Sequence, residues 1–367
     1  MINKLVWENL KQRWVRTLLS ALLVSLQVVA ILTLVGLSRG LLEDSAHRSS
    51  GTGADIMLKP GGVSFSFSIG QVDEKFVGYI AKQPHVADAV GVLSVPTKEV
   101  LTPINGVDIQ QFKKMSGGFR FIAGGPPSAP DDLIVDQYYA EQHKLRVGQT
   151  YKLLNHDWRI SGIMQGGMLG RLVVQLKRLQ DLSGSANPAR VSQILVKLDN
   201  PALTNKEVAT LNDLLTGDLT AISIADFVAN FSINKIPELT AFIWVIIGVV
   251  VIVALLVVFL SMYMAVIERT REIGILKALG AKPLTILNIL VREALVLATV
   301  GCVIGIVLSL GAKLLIMNLY PASLTVVAVP DWWPTTTGIV LIGALLGAIY
   351  PGWKAARQDT IEALSYE

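Results

Sequence analysis

Four histidines are the side chains of this chain best suited to acid–base chemistry or metal binding near neutral pH: His47, His85, His143 and His156. They are scattered, and none has the HxxxH or HExxH spacing that places two imidazoles on one helical face. The spacing predicts isolated surface histidines, and a cluster formed only in three dimensions is the alternative.

One nucleophile motif is present, because Gly36-Leu-Ser-Arg-Gly40 matches the GxSxG elbow of α/β-hydrolases. That elbow needs a strand before the serine and a helix after it. Here the motif lies at the end of an apolar run that is long enough to cross a bilayer. We therefore expect no catalysis from it.

Other chemistry is limited by the residue types that the sequence lacks. Its single cysteine, Cys302, excludes an intramolecular disulfide, a cysteine-based zinc site and a CxxC redox pair. It contains no GxxxxGK[ST] phosphate-binding loop. We expect the chain to have no catalytic residue, no metal and no cofactor of its own, and not to be an enzyme.

The composition is that of a membrane protein. Hydrophobic residues make up 52% of the chain and charged residues only 16%, against about 25% charged in ordinary soluble domains. Most of the excess lies in long runs that meet or approach the ~20 residues needed to cross a bilayer: Leu18 to Leu37, Leu239 to Val266, Leu295 to Ile316 and Trp332 to Tyr350. We interpret the first run as an uncleaved anchor, because it is longer than a signal-peptide core.

The charges indicate how these runs are oriented. Residues 43–237 hold 19 basic and 19 acidic side chains, so the net charge of +4 lies in the remainder. Most of those bases flank one end of the apolar runs: Lys4, Lys11, Arg13, Arg16, Arg269, Arg271, Lys277, Lys282, Arg292, Lys354 and Arg357. By the positive-inside rule, both termini should be cytoplasmic and the long neutral segment exported. The basic charge thus reflects orientation, and we expect no nucleic-acid partner.

Glu293 is a carboxylate close to membrane depth, where ionisable groups are costly and often functional. Arg292 precedes it and Asn288 lies a little over one turn earlier, so the third span could begin only at Leu295. That would leave Glu293 at the interface. We favour this structural interpretation over a functional site inside the bundle.

The fold class expected is an α-helical membrane protein with four transmembrane helices and a large mixed α/β (α+β) extracytoplasmic domain inserted between the first two. The predicted segments are 1–17 (cytoplasmic amphipathic helix), 18–42 (first span), 43–237 (exported domain with stalk), 238–267 (second span), 268–284 (cytoplasmic surface helix), 285–317 (third span), 318–331 (short outer loop), 332–350 (fourth span) and 351–367 (cytoplasmic tail).

Two local patterns add detail to this layout. In the exported segment, Val72 to Lys82 reads as a helix and Val86 to Val95 as a strand. In the later spans, small-xxx-small spacing allows helix backbones to approach closely, which predicts packing positions at Gly301, Gly305, Gly343 and Gly347.

A charged segment, Glu268 to Pro283, separates the second and third spans and cannot lie in the membrane interior. Helical spacing places Ile273, Leu276 and Leu279 on one side. Gly280 suits the left-handed stop after a helix, and Pro283 the first turn of the next. The pattern predicts a surface helix, a sharp corner and a second helix. A well-capped connecting loop is the alternative interpretation.

This segment, Glu268-Arg-Thr-Arg-Glu-Ile-Gly-Ile-Leu-Lys-Ala-Leu-Gly-Ala281, resembles the hallmark of the FtsX/MacB-type permeases of ABC transporters. The C-terminal Tyr350-Pro-Gly-Trp-Lys-Ala-Ala-Arg-Gln-Asp-Thr-Ile-Glu-Ala-Leu364 is similar to that family's terminal motif, except for Thr360 where the family usually has proline. Glu293 falls where the family often carries a glutamate. The four-span layout matches over the whole chain, with a MacB-like periplasmic core domain and an FtsX-like permease domain.

The resemblance implies a dimeric permease, homomeric or paired with a related permease, worked by two copies of a separate ATPase that binds ATP and magnesium. It implies that the surface helix is a coupling helix that contacts the ATPase through Arg271, Glu272, Ile273, Gly274, Leu276, Lys277, Leu279 and Gly280. The terminal motif, with Arg357, Glu362 and Leu364, would lie near the ATPase. A periplasmic adaptor protein is a further partner of such systems.

The function implied is the transmission of ATP-driven motion to the exported domain in order to export or extrude a substrate. In such systems the substrate is commonly handled on the outer side, without a path through the bilayer. The location implied is the bacterial inner membrane. One alternative is a regulatory relay of the FtsX kind that controls a cell-envelope enzyme. Another is a membrane-anchored receptor that works without an ATPase.

Overall fold

The computed structural model describes residues 8, 11, 14–61, 70–98, 102–215, 217–230 and 233–357. It divides into two compact units. The bundle unit comprises the described residues of Met1–Ser38, Glu238–Leu315 and Val326–Glu367, and the α/β unit comprises those of Arg39–Pro237 and Ile316–Thr325. Most of the predicted N-terminal segment, residues 62–69 of the predicted exported segment, and the tail with Glu362 and Leu364 lie outside the described residues.

The helices of the described residues, in chain order, are α1 (Trp14–Ser50), α2 (Lys75–Ile80), α3 (Ile109–Ser116), α4 (Gln137–His143), α5 (Leu176–Ser183), α6 (Thr204–Leu214), α7 (Ile224–Asn230), α8 (Pro237–Glu268), α9 (Thr270–Ala278), α10 (Pro283–Leu319) and α11 (Trp333–Arg357). Short 3₁₀ turns lie at Pro201–Leu203, Ile233–Lys235 and Pro330–Trp332.

Within the described residues, four helices are long and apolar enough to span a membrane: α1, α8, α10 and α11 with its preceding turn. They extend beyond the spans predicted from hydropathy. The helix of the first span continues to Ser50, and that of the fourth continues to Arg357, into the segment predicted as a tail. Hydropathy finds only the apolar part of a helix, whereas the backbone hydrogen-bond ladder continues wherever packing supports it.

The strands are β1 (Ile56–Pro60), β2 (Val72–Asp73), β3 (Val86–Val95), β4 (Ile104–Val107), β5 (Phe121–Gly124), β6 (Asp132–Asp136), β7 (Thr150–Leu153), β8 (His156–Met164), β9 (Leu172–Gln175), β10 (Arg190–Val191), β11 (Gln193–Leu198) and β12 (Leu219–Ser223). All but β2 and β10, which pair with each other, form one mixed sheet in the order β12-β1-β11-β3-β4-β9-β6-β8-β5, with β7 on β8. Its pairs β4–β9 and β6–β8 are parallel.

The core of the α/β unit lies on both faces of this sheet. Along β1, Ile56 and Leu58 belong to one buried cluster, whereas Met57 between them belongs to the other. The first cluster contains Trp158 and the second contains Phe112, and both of these side chains are fully buried. Side chains alternate between faces along a strand, so a sheet covered on both faces is apolar at successive positions.

The segment Val72–Lys82 differs from the helix that the sequence predicts. It starts as strand β2, and helix α2 begins only at Lys75. The Asp73 carboxylate accepts a hydrogen bond from the Lys75 amide at 2.9 Å. Pairing of Val72 with Val191 overrides the helical pattern of the first residues, because tertiary contacts outweigh local propensity.

In the bundle unit, glycines mark close helix contacts. A Cβ atom at Gly301 would lie 2.7 Å from Val24 Cγ1, and one at Gly305 2.6 Å from Val28 Cβ, so α10 packs tightly on α1. A Cβ at Gly347 would lie 2.8 Å from the Leu255 carbonyl oxygen on α8. At Gly343 the nearest atom is 3.8 Å away, which is an ordinary contact. The first three positions therefore exclude larger side chains.

The predicted outer loop, 318–331, is divided between the units. Ala322 is 3% exposed and belongs to a core cluster of the α/β unit. The Gln142 amide oxygen on α4 accepts hydrogen bonds from the Ala322 and Ser323 amides at 3.0 and 3.3 Å. In the bundle unit, the Val327 amide donates to the Gly36 carbonyl at 3.1 Å. This connection is thus a packed element of both units.

Candidate functional site at the basic end of the bundle

The chain bends sharply where α8 ends. Arg269 has φ −118° and ψ 19°, which interrupts the helix, and α9 starts at Thr270. The Thr270 hydroxyl donates to the Val266 and Ile267 carbonyls at 3.1 and 2.9 Å. These bonds add a side-chain donor to carbonyl groups in the last turn of α8, where the Val266 carbonyl also accepts from the Arg269 amide at 3.2 Å. The bend places the start of α9 at a fixed position.

Four charged residues form an ionic cluster at this bend: Arg16, Glu268, Arg269 and Glu293. Arg269 Nη1 lies 3.2 Å from Glu293 Oε2, and both side chains are almost fully buried. Arg16 Nη1 lies 2.7 Å from Glu268 Oε2, and Arg16 Nη2 lies 3.9 Å from Glu293 Oε1. The cluster therefore connects α1, the α8–α9 bend and α10.

This geometry corrects the predicted position of Glu293 at the membrane interface. Its side chain is 1% exposed and lies among packed helices, so it is not at an open interface. The carboxylate is paired with two arginines, however, as a structural role requires. A buried carboxylate would be strongly destabilising without such partners. We interpret Glu293 as the anchor of the α8–α9 bend.

One side of α9 is fixed to the bundle. Ile273 packs in a buried cluster with side chains of the neighbouring helices: Val266, Ile286, Leu290, Ala355 and Ala356. Gly274 is also buried. The Lys277 ammonium donates to the Ala356 carbonyl at 3.1 Å, at the end of α11. Helix α9 thus rests on α8, α10 and α11.

Away from this packed side, exposed apolar residues lie on α9, at its end and at the start of α10. Leu279 is 81% exposed, Leu284 75% and Ile275 46%. Arg271 and Glu272 are exposed beside them, whereas Leu276 and Lys277 are half-buried. We name Ile275, Leu279 and Leu284 the outer apolar set.

This distribution corrects the sequence analysis, which placed Ile273, Leu276 and Leu279 on one side of the helix. Ile273 is 7% exposed and Leu279 81% exposed, so they lie on different sides. Six residues separate them, which is about 240° around a helix of 3.6 residues per turn. Ile275 and Leu284 were not among the contact residues predicted from the sequence. The four-residue spacing of Ile275 and Leu279 was the signal that could have identified the outer side.

The corner after α9 has the geometry that its glycine predicts. Gly280 has φ +88°, in the left-handed region. Its amide donates to the Lys277 carbonyl at 2.9 Å, and the Ala281 amide donates to the Leu276 carbonyl at 3.0 Å. This pair of bonds is a Schellman motif. Helix α10 then begins at Pro283. The outer apolar set therefore lies on both sides of a defined corner, with Ile275 on α9, Leu279 at its end and Leu284 on α10.

The other candidates from the sequence are not brought together. His156 lies 2.7 Å from Asp131, His85 lies 3.4 Å from Asp199, and His143 stacks on Tyr139. The described residues contain no group of three or more potential metal ligands. The GxSxG motif lies inside α1. Arg357 stacks on the Trp353 ring at 4.2 Å.

Within the α/β unit, a second charged cluster holds the end of α1. Arg171 Nη2 lies 2.9 Å from Asp44, which also pairs with Arg48, and Arg171 Nη1 lies 2.8 Å from Asp136. Asp136 caps α4 by accepting from the Tyr139 amide at 2.7 Å. Burial raises the pKa of the Asp136 carboxyl, and the Arg171 charge opposes that rise. Helix α4 is therefore bound at its start to α1 and, through Gln142, to Ser323.

Comparison with known proteins identifies the family to which this chain belongs. Residues 17–214 match the family described as MacB-like periplasmic core domain, and residues 244–360 match FtsX-like permease C-terminal. The chain belongs to the FtsX/MacB-type permeases of ABC transporters. The permease is a multi-pass membrane protein with an α/β domain between its first two long helices.

Its relatives include the ABC transporter permease YknZ of Bacillus subtilis, 29% identical over 60% of this chain and 55% of the relative. The macrolide export ATP-binding/permease protein MacB of Acinetobacter baylyi is 24% identical over 96% of this chain and 57% of that protein. The chain thus spans about half the length of these relatives. Among solved structures, the periplasmic region of MacB from Actinobacillus actinomycetemcomitans matches with TM-score 0.38 and 16% identity, over 48% of this chain and 92% of that one.

Proposed function

We propose that this permease is the membrane subunit of an ABC export system, and that a separate ATPase chain binds it at α9. The observation that carries the proposal is the outer apolar set at α9 and the adjoining corner, since the other side of α9 is fixed to the bundle. Exposed apolar residues on such a support form a contact for a partner chain. Arg271 and Glu272 lie beside this set and add charged contacts.

The proposed assembly is a dimer of permease chains, homomeric or mixed, with two ATPase copies that bind ATP and magnesium. The family match and the names of the relatives support it, since the A. baylyi relative carries "ATP-binding/permease" in its name. A periplasmic adaptor is a further proposed partner.

The proposed orientation places α9 in the cytoplasm and the α/β unit outside the inner membrane, with both termini inside. The basic residues around α9 support it through the positive-inside rule. Two exposed lysines provide a matched test, because the only native cysteine, Cys302, is buried. In intact cells, a membrane-impermeant maleimide should label Lys82→Cys, and should label Lys282→Cys only after permeabilisation. The reverse pattern would overturn the orientation.

The proposed mechanism is mechanical. Motion of the ATPase would displace α9, and the buried Arg269–Glu293 pair would pass that displacement to α10, because buried ion pairs resist separation. Arg16 connects α1 to the same cluster through Glu268 and Glu293. Helix α1 is continuous from Trp14 to Ser50 and ends at the Asp44–Arg171 cluster. The α/β unit would therefore respond to motion that begins at α9.

Leu279→Asp tests the docking surface. A charge on the outer side leaves the buried side of α9 intact, so the chain should insert normally but lose at least tenfold in ATPase binding, as expected for a truncated contact centre. The measurement is co-purification of an ABC ATPase with the tagged full chain from membranes, followed by mass spectrometry.

The matched control is Leu214→Asp, since Leu214 is 46% exposed but lies on α6 of the α/β unit. It should retain the ATPase. If Leu279→Asp retains the ATPase as well, α9 is not the contact. If no ATPase accompanies the unaltered chain, the proposal of an ATPase-driven export subunit fails, and a receptor without an ATPase replaces it.

A further inference from the structure

An apolar groove runs between α1 and α10 in the bundle unit, with a volume of about 320 Å³. Its floor is formed by Ala21 and Leu297, which are 1% and 3% exposed. Its rim is formed by Trp14, Leu18 and Val300, all of which are exposed. Apart from Thr17 and Lys11, the lining side chains are apolar.

The groove has a cation at one end. Lys11 lines it and is exposed, and among the described residues it has no ion-pair or hydrogen-bond partner. The first residue of α1 that lines the groove is Trp14, 65% exposed, a residue type enriched where a membrane meets water. The groove therefore combines a charged mouth at the interface with an apolar course along two membrane-spanning helices.

These features indicate what kind of molecule the groove binds. From Trp14 to Ala21 the groove follows seven residues of α1, roughly 10 Å of helix. A single hydrocarbon chain is narrow enough to fit. A lysine at the mouth favours a negative headgroup, and basic pockets between membrane helices bind anionic lipids in this way.

We propose that this groove is a binding site for an anionic phospholipid of the leaflet at the basic end, with the phosphate at Lys11 and an acyl chain between α1 and α10. The site is independent of the ATPase contact at α9. The groove lies on the same helix pair that packs tightly at Gly301, so the bound lipid stabilises the pair that the ionic cluster also joins.

The fluorescence of Trp14, which lines the groove, tests which molecule occupies it. The full chain is reconstituted in phosphatidylcholine vesicles that contain increasing fractions of phosphatidylglycerol with brominated acyl chains, which quench tryptophan at contact. The difference between the unaltered chain and Trp14→Phe isolates the Trp14 signal. Brominated phosphatidylglycerol should half-quench Trp14 at about one fifth of the fraction that brominated phosphatidylcholine requires, since one basic residue near a membrane contributes a factor of about five.

Matched variants assign the site. Lys11→Gln should remove the preference for phosphatidylglycerol, whereas Lys282→Gln, an exposed lysine outside the groove, should keep it. Val300→Phe should reduce quenching by filling the groove. Val303→Phe on the same helix should not, because Val303 is 60% exposed and does not line the groove.

Three results would overturn the proposal. Equal half-quenching fractions for the two lipids would show that no headgroup is selected. Equal effects of Lys11→Gln and Lys282→Gln would show only a general surface charge. A Trp14 signal that neither brominated lipid quenches would show that protein, such as a second copy of this chain, covers the groove.

Discussion

At the residue scale, the central feature is a buried charge pair that holds the start of α9. Arg269 is the residue at which helix α8 stops, and Glu293 reaches it from α10. Neither is available for a titratable or catalytic role at the surface, because both are almost fully buried. Their positions imply that this ion pair contributes to the bend and therefore to the orientation of α9.

Glu293→Gln should destabilise the chain by about 3–5 kcal/mol, because it leaves the Arg269 charge buried with a neutral partner. The expected readout is earlier unfolding in a denaturing-detergent titration, followed through the thiol reactivity of Cys302, which is 2% exposed in the folded chain. Glu268→Gln is the control. Glu268 is 34% exposed in its pair with Arg16, so its replacement should change stability by less than about 1 kcal/mol.

Equal effects of the two changes would contradict the assignment of Glu293 as the anchor. A double replacement of Arg269 and Glu293 by methionine distinguishes the pair from a general packing role. It should be less destabilising than Glu293→Gln alone, because it leaves no unpaired charge.

At the scale of elements, cross-strand charges fix the register of the parallel pair β6–β8. Asp132 and Arg159 are register partners, and Arg159 Nε lies 2.7 Å from Asp132 Oδ1. The Asp132 carboxylate also accepts from the amides of Ser128 and Ala129 at 2.7 and 2.9 Å. Burial raises the pKa of Asp132, but these hydrogen bonds outweigh it, and the net pKa lies well below 3.8.

This lowered pKa predicts the sign of a pH effect. Since the folded pKa is below the ordinary value, the ionised carboxylate stabilises the fold above about pH 4, and that contribution is lost as the pH falls through the folded pKa. Asp132→Asn should lower the free energy of unfolding by about 1.5–3 kcal/mol at pH 7. The difference from the unaltered chain should shrink steadily below pH 4.

Urea unfolding of the full chain at several pH values, followed by tryptophan fluorescence, measures this difference. Trp158 precedes Arg159 on β8 and is fully buried, so it responds when the strand is exposed. Asp157→Asn on the same strand is the control, because Asp157 is exposed and should contribute little. A gap between Asp132→Asn and the unaltered chain that stays constant from pH 7 to pH 2 would contradict the role of ionised Asp132.

At the scale of the whole molecule, helix α4 of the α/β unit contacts both the end of α1 and the connection that follows α10. Its cap, Asp136, is bound through Arg171 to Asp44 near the end of α1. Near its other end, Gln142 is bound to the connection after α10 through Ala322 and Ser323. In the proposed mechanism, α4 therefore receives motion through both segments.

Arg171→Met should uncouple the α/β unit without affecting ATPase binding. The measurement is hydrogen–deuterium exchange in the permease–ATPase complex, with and without ATP and vanadate. In the unaltered complex, nucleotide should change the exchange of β6 and β9 amides severalfold, and in Arg171→Met that change should be lost. The variant removes one end of a buried pair, which is destabilising, so an unchanged exchange pattern without nucleotide is required first.

Arg178→Met is the matched control, because Arg178 pairs with Asp131 in the same unit but is 31% exposed and distant in sequence from the α1 contacts. It should preserve the nucleotide response. If Arg171→Met also preserves it, the Asp44–Arg171–Asp136 cluster does not transmit the motion.

The sequence by itself determined the features that depend on near neighbours. Runs of apolar residues specify helices long enough to span a membrane, because each residue must remove its own polar backbone from lipid. The Gly280–Pro283 corner follows from the left-handed backbone of one residue and the fixed φ of another. The covered sheet between the first two spans was also predictable as mixed α/β structure.

Only the tertiary structure decided which side of α9 is buried. Helix α9 has apolar residues on more than one side, so its own sequence does not specify which side is buried. Burial of Ile273 instead of Leu279 depends on packing against Ile286, Leu290 and Ala355 from distant segments. The same holds for the pairing of Arg16 with Glu268, 252 residues apart, and for the attachment of Ser323 to Gln142. Such contacts depend on how separate elements pack, and a local pattern does not contain that information.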